Sequence, residues 1–180
     1  SFERASAFRR LSLLLRIKAP SNAASFKTRA CERLVVNGDK PKYFFFYGTL
    51  QSEELSAVAR QILPRLRCVE EGSANGHLFA IQLPHLTYPA LLLDRTSRAS
   101  VHGPCYEICA GFSAGDIDLL DAYEEYFPHT PSKSEYLRQA HPVTLKSGIQ
   151  LSAWVYVYNF PLPETTEPIP SGDFKDYVRF

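Results

Sequence analysis

The sequence predicts an α+β domain built on a curled sheet of mostly antiparallel or mixed strands. The 180-residue chain has the length of one ordinary domain. Hydrophobic residues make up 45% of it and aromatics 13%, enough for a packed core and too much for a disordered chain. Segments with strand character outnumber the two with helical periodicity, too few helices to cover both faces of a doubly wound sheet.

The first element is residues 43–47, Tyr-Phe-Phe-Phe-Tyr, apolar on both faces as a central strand must be. It stops at Gly48-Thr-Leu. Ser52 then suits an N-cap, Glu53 and Glu54 suit the positive end of a helix, and Leu55, Val58 and Ile62 share one side before Pro64 ends it. Residues 68–71, 75–83 and 89–93 read as successive strands separated by Gly72, Gly76, Pro84 and Tyr88-Pro89. Residues 101–109 form a further strand and 115–127 a helix. Residues 135–145 and 149–158 form a hairpin across Ser147-Gly148. Pro161, Pro163, Pro168 and Pro170 make the last twenty residues a surface wrap.

Charge divides the chain in two. Residues 1–40 carry nine Lys/Arg against three Asp/Glu, and residues 41–180 carry eleven against sixteen. The acidic body argues against non-specific nucleic-acid binding, whose affinity comes mostly from neutralising phosphates. The basic stretch is rich in Arg, Ser and Ala, and reads either as an organelle transit peptide or as a disordered or vector-derived leader. Either way the folded domain is expected over 41–180. No Met occurs, even at position 1, so the chain is expected to be a processed or recombinant product. No apolar run approaches the roughly 18 residues of a membrane span. Cys31, Cys68, Cys105 and Cys109 make no framework. Cys105 and Cys109 lie about 13 Å apart along a strand, too far for a disulfide or a shared metal. Free thiols are expected, which suits a reducing, cytoplasmic setting, or an organelle if residues 1–40 are a transit peptide.

Three patterns suggest chemistry. On a helical wheel with Ile117 at zero, Leu119, Leu120, Tyr123 and Phe127 fall between about 200° and 360°, whereas Asp118, Asp121, Ala122 and Glu125 fall between about 40° and 140°. Glu124 falls at about 340°, inside the apolar arc. A carboxylate there costs free energy unless paired or protonated, and a pKa raised by desolvation suits general-base work. The bland alternative is an edge residue bonded to an Arg or a backbone amide. The second pattern, Gly111-Phe-Ser113-Ala-Gly115, matches a nucleophile elbow and is followed by Asp121 and His141 in hydrolase order. Against it, Ser113-x-x-Asp116 also fits a capping box, and no Gly-rich oxyanion motif appears. His77, His85, His102, His129 and His141 show no metal-ligand spacing. Gly48, ending a buried strand, lets the backbone approach a ligand and aim its N–H groups outward.

Taken in order, Tyr47-Gly48-Thr49-Leu50, Tyr88-Pro89-Ala90-Leu91, Gly103-x-x-Tyr106-Glu107, Leu120-Asp121-x-Tyr123-Glu124-x-Tyr126, Tyr136-x-Arg138 and Ala153-Trp-Val-Tyr-Val-Tyr158 resemble the γ-glutamylcyclotransferase-like (AIG2-like) family. The resemblance runs from about Lys42 to the end, including Pro170-Ser-Gly-Asp173. It looks closest to the Y-G-T-L branch, which includes γ-glutamylamine cyclotransferase and small bacterial homologues.

The resemblance implies a small curled β-barrel flanked by helices, with Glu124 as the catalytic carboxylate. It implies that Tyr47, Gly48, Thr49, Leu50 and Tyr136 form the substrate pocket, with no cofactor and no metal. Where relatives usually carry Gly after that glutamate, this chain has Glu125. The implied reaction closes the γ-glutamyl group of a small amine or peptide to 5-oxoproline. The expected partner is that small molecule, not nucleic acid or a membrane, and the protein is expected to be a monomer or weak homodimer. The rivals are a non-catalytic binding or regulatory protein on the same fold, and a serine hydrolase using Ser113.

Overall fold

The computed structural model describes residues 41–178, so the expectations for residues 1–40 fall outside the described residues. Its strands are β1 (Tyr43–Phe45), β2 (Leu66–Leu83), β3 (Leu86–Leu93), β4 (Ser100–Ile108), β5 (Tyr136–Leu145), β6 (Gln150–Tyr158) and β7 (Thr166–Pro168). Its α-helices are α1 (Ala57–Ile62), α2 (Ala114–Tyr123) and α3 (Phe174–Tyr177). Strands β2, β4, β1, β6 and β5 neighbour one another in that order. β5 returns to β2 through Gly72↔Leu145 and Ser73↔Thr144, which closes a five-stranded barrel. β1 runs parallel to β6, and every other pairing is antiparallel. The barrel is therefore mixed, in an α+β fold.

β1 is central, as its all-aromatic run requires. Successive side chains of a strand point to opposite faces, so Phe44 and Phe46 join a cluster with Val58, Ile62 and Leu120 of the helices. Phe45 joins Val101, Cys105, Val143 and Val155 on the other face. The ladder ends at Phe45, two residues earlier than expected, although the Phe46 N–H still reaches the Pro104 carbonyl at 3.2 Å.

The expected strands 68–71 and 75–83 are one continuous strand. Gly72 fits a crowded crossing rather than breaking it: a Cβ there would lie 2.9 Å from Val143 Cγ1 and 3.0 Å from Cys105 Sγ. One half of β2 belongs to the barrel, and the other half leaves it to pair with β3 and β7. A bulge between Cys68 and Glu70 interrupts the register with β4.

The first helix starts four residues later than Ser52 suggested. Ser52 holds a turn through its carbonyl and hydroxyl, and Ser56 caps α1 by accepting from the amides of Val58 and Ala59. The C-terminal segment does wrap the surface. Gly172 (φ +68°) presses so close to β4 that a Cβ would lie 1.9 Å from the Ser100 carbonyl oxygen, while the His102 amide donates to the Gly172 carbonyl at 2.8 Å.

Cys68 and Cys105 are free thiols, as expected, but Cys109 is disulfide-bonded. The expectation of a free thiol therefore does not hold at Cys109. No helix among the described residues is long and apolar enough to cross a membrane.

Candidate active site

The site is assembled at the end of α2. Ser113 opens that helix, its amide and hydroxyl both donating to the Asp116 carboxylate at 2.8 Å. Helical bonding reaches Glu124, whose N–H meets the Leu120 carbonyl at 3.0 Å. Glu125 then turns into the left-handed region at φ +50°, which stops the helix. The helix expected over 115–127 therefore ends at Tyr123, and Phe127, placed in the apolar arc by the wheel, is exposed. The Glu125 carbonyl accepts the Glu135 amide at 3.1 Å and so fastens the turn to the approach of β5. Glu124 is left buried at the helix end, 8% exposed.

Beyond β1 the chain makes a 3-10 turn over Thr49–Gln51, closed by the Gln51 amide on the Gly48 carbonyl at 3.2 Å. The amides of Thr49 and Leu50 precede that first bond, so the turn does not use them. A Cβ on Gly48 would lie 2.5 Å from Cγ of Pro89. Tyr-Pro-Ala-Leu on β3 and Tyr-Gly-Thr-Leu after β1 thus meet as one wall. The Tyr136 hydroxyl donates to the Pro89 carbonyl at 2.6 Å, and the Tyr47 hydroxyl to the Tyr156 carbonyl at 2.6 Å.

All six residues singled out in the sequence, Tyr47, Gly48, Thr49, Leu50, Glu124 and Tyr136, line one cavity of about 20 Å³. Pro89 and Tyr156 line it as well. Both stand in motifs read from the sequence without being assigned to the site. Because the hydroxyls of Tyr47 and Tyr136 are committed to backbone carbonyls, these two rings shape the wall.

Behind the cavity lies an ionic network that the wheel missed. Asp121, placed on the solvent face by periodicity, is buried. β5 and β6 cover that side of α2 and supply its partners. Arg138 donates to both Asp121 oxygens, Nε at 2.8 Å and Nη2 at 3.2 Å. The Tyr156 hydroxyl donates to the same carboxylate at 2.7 Å. The guanidinium also lies over the Trp154 ring at 4.8 Å and the Tyr126 ring at 5.7 Å. Burial first, and the Asp121 charge next, push the Tyr156 hydroxyl well above the ordinary tyrosine range, so it remains a donor.

The hydrolase arrangement is not built. Ser113 is tied to Asp116 and Asp121 to Arg138 and Tyr156, while His141 lies on β5 opposite Ala153. Among the described residues no hydrogen bond joins Ser113, Asp121 and His141, and no group of three or more His, Cys, Asp or Glu is placed to hold a metal ion.

The family model described as γ-glutamyl cyclotransferase, AIG2-like, matches residues 44–176, most of the chain. The chain belongs to that family. No curated protein matches the sequence. Solved structures agree on the fold. YkqA from Bacillus subtilis is 24% identical with a TM-score of 0.52, over 77% of this chain and 41% of its own. The match thus spans about two fifths of YkqA. An AIG2-like protein from Mus musculus is 23% identical with a TM-score of 0.51, over 71% of this chain and 83% of its own. A γ-glutamyl cyclotransferase is 13% identical with a TM-score of 0.51, over 73% of each chain. At these identities the likeness is one of fold, the same small barrel with few helices.

Proposed function

We propose that this chain is a γ-glutamyl cyclotransferase that closes the γ-glutamyl group of a small amine or peptide to 5-oxoproline, with Glu124 as general base and then general acid. The observation that carries the reading is that Glu124, buried at the helix end, lines the same cavity as the turn from Gly48 to Leu50.

The nucleophile is the substrate's own α-amino group, so proximity contributes much of the acceleration. Its nitrogen forms a bond to the side-chain carbonyl carbon, and the bond from that carbon to the leaving nitrogen breaks. A proton must leave the attacking ammonium, and one must reach the departing amine. Glu124 accepts the first and returns it as the second, a role typically contributing about 10²–10⁴-fold. The Thr49 and Leu50 amides are donors suited to the substrate carboxylate or to the developing oxyanion. Gly48 lets a ligand approach the backbone closely. A cavity of about 20 Å³ holds a water or two, so entry of a γ-glutamyl group includes a shift of the surrounding wall.

The test is release of 5-oxoproline from a broad panel of γ-glutamyl amines and peptides by the pure protein. Turnover with at least one member, lost in Glu124→Gln, is expected. A panel in which ligands bind and none is cyclised would overturn the enzyme reading in favour of a binding protein on the same barrel.

A further inference from the structure

The turn beside the cavity is built around a glycine, which has no Cβ to restrict its dihedrals. The peptide planes on either side of Gly48 therefore need restraint from elsewhere, and Gln51 holds both. Its backbone amide donates to the Gly48 carbonyl at 3.2 Å. Its side-chain Nε2 donates to the Tyr47 carbonyl at 3.5 Å, a long bond. The Gln51 carbonyl in turn accepts the Tyr106 hydroxyl at 3.3 Å, which fastens the holder to β4. Burial above all pushes the Tyr106 pKa up to about 12, so that hydroxyl stays a donor.

In a planar trans peptide the N–H points opposite to the C=O. A carbonyl held by Gln51 thus fixes the N–H at the other edge of the same plane, Gly48 N–H behind Tyr47 C=O and Thr49 N–H behind Gly48 C=O. Gly48 and Thr49 line the cavity, whereas Gln51 is not among its lining residues. Gln51 is itself buried, and its Oε1 meets no hydrogen-bond partner among the described residues. The Tyr47 carbonyl can only accept, so the amide cannot be turned round to satisfy that oxygen without losing the bond. Unpaired buried acceptors are rare and costly, and sequences break such a local rule chiefly at functional sites.

Resting on the reading of this cavity as the site of the γ-glutamyl group, we propose that Gln51 is a positioning residue. Its side chain holds the Tyr47–Gly48 peptide so that the Gly48 N–H joins the Thr49 N–H in meeting the substrate carboxylate or the developing oxyanion. Gln51 acts through that peptide and touches no reacting atom. When the Gly48 N–H donates to an anion, the carbonyl of its peptide becomes the stronger acceptor, so the long Gln51 bond tightens as the site fills.

Gln51→Met keeps the length of the side chain and removes its donor. The backbone amide at position 51 remains, so the Gly48–Thr49 peptide stays held, and the variant separates two neighbouring N–H groups. Nitrogen-15 relaxation of the unliganded protein should show the Gly48 order parameter falling from about 0.85, the rigid-backbone value, toward about 0.6, with that of Thr49 unchanged. The melting temperature should not fall, because at most one unpaired acceptor, the Tyr47 carbonyl, replaces another. For any γ-glutamyl substrate found, kcat/KM should drop about tenfold, less than the roughly 10²–10³ lost when an oxyanion donor is deleted outright.

Order parameters that fall equally at Gly48 and Thr49, or at neither, would overturn the inference. So would a lower melting temperature with unchanged kcat/KM, the result a purely structural amide gives. A loosened Gly48 in a protein that yields no 5-oxoproline from any substrate would overturn the catalytic reading and leave the restraint standing. Turnover at the parent rate with a loosened Gly48 would do the reverse. If Gln51→Met does not fold, Gln51→Leu makes the same comparison.

Discussion

The hydroxyls of Thr49 and Tyr123 lie 2.8 Å apart and join the turn after β1 to the last residue of α2. They connect the turn that carries Thr49 and Leu50 to the helix end that carries Glu124, both of which line the cavity.

Thr49→Val or Tyr123→Phe should each lower stability by about 1 kcal/mol, the usual net value of one hydrogen bond. Because both remove the same bond, the double variant should be less destabilised than the sum. Urea unfolding of all four proteins measures the cycle. Full additivity would mean that the contact contributes nothing.

Gly48→Ala places a methyl group 2.5 Å from Pro89 Cγ, and something must shift. A loss of about 1–3 kcal/mol is expected, as for other over-packed sites. Pro89→Ala in the same chain should recover part of it by making room. Thermal unfolding of the single and double variants provides the comparison.

At Glu125 the backbone is left-handed (φ +50°), a conformation that disfavours side chains with a Cβ. Glu125→Gly relieves that strain and Glu125→Ala retains it. The glycine variant should therefore be the more stable of the two by about 1 kcal/mol. Equal stability of the pair would show that the turn relaxes when the side chain is shortened.

His141 is buried, and desolvation, with the Arg95 charge behind it, holds its pKa below the ordinary 6.5. The native state then binds fewer protons than the unfolded chain just below pH 6.5, so stability falls as the pH drops through that value. It is fully regained above it. Chemical unfolding at a series of pH values should show this slope in the parent and a shallower one in His141→Gln.

Features set by local pattern were legible in the sequence. The aromatic run 43–47 had to be central because both of its faces are apolar, and Glu124 stood out because a carboxylate interrupted a greasy arc. Features made by tertiary partners were not legible. Asp121 looked solvent-facing because a wheel knows nothing of the strands that cover a helix. Arg138 and Tyr156, 17 and 35 residues further on, reach it only after the hairpin folds over. Gly72 looked like punctuation because glycine marks both breaks and tight crossings, and only Val143 and Cys105 decide which. Ser52 suited a cap by residue type alone, but the helix is capped by Ser56, four residues further on.

The parallel pairing of Tyr43 with Ala153 and of Phe44 with Trp154 has a temporal consequence. During synthesis, β1 leaves the ribosome more than a hundred residues before its neighbour exists, so its aromatic side chains wait without the partner that covers one edge. Closing a loop of that length is slow compared with local hairpin formation. The turn after β1 consequently meets the β5–β6 hairpin only near the end of the process, and a chain interrupted anywhere before β6 lacks the barrel on which the cavity is built.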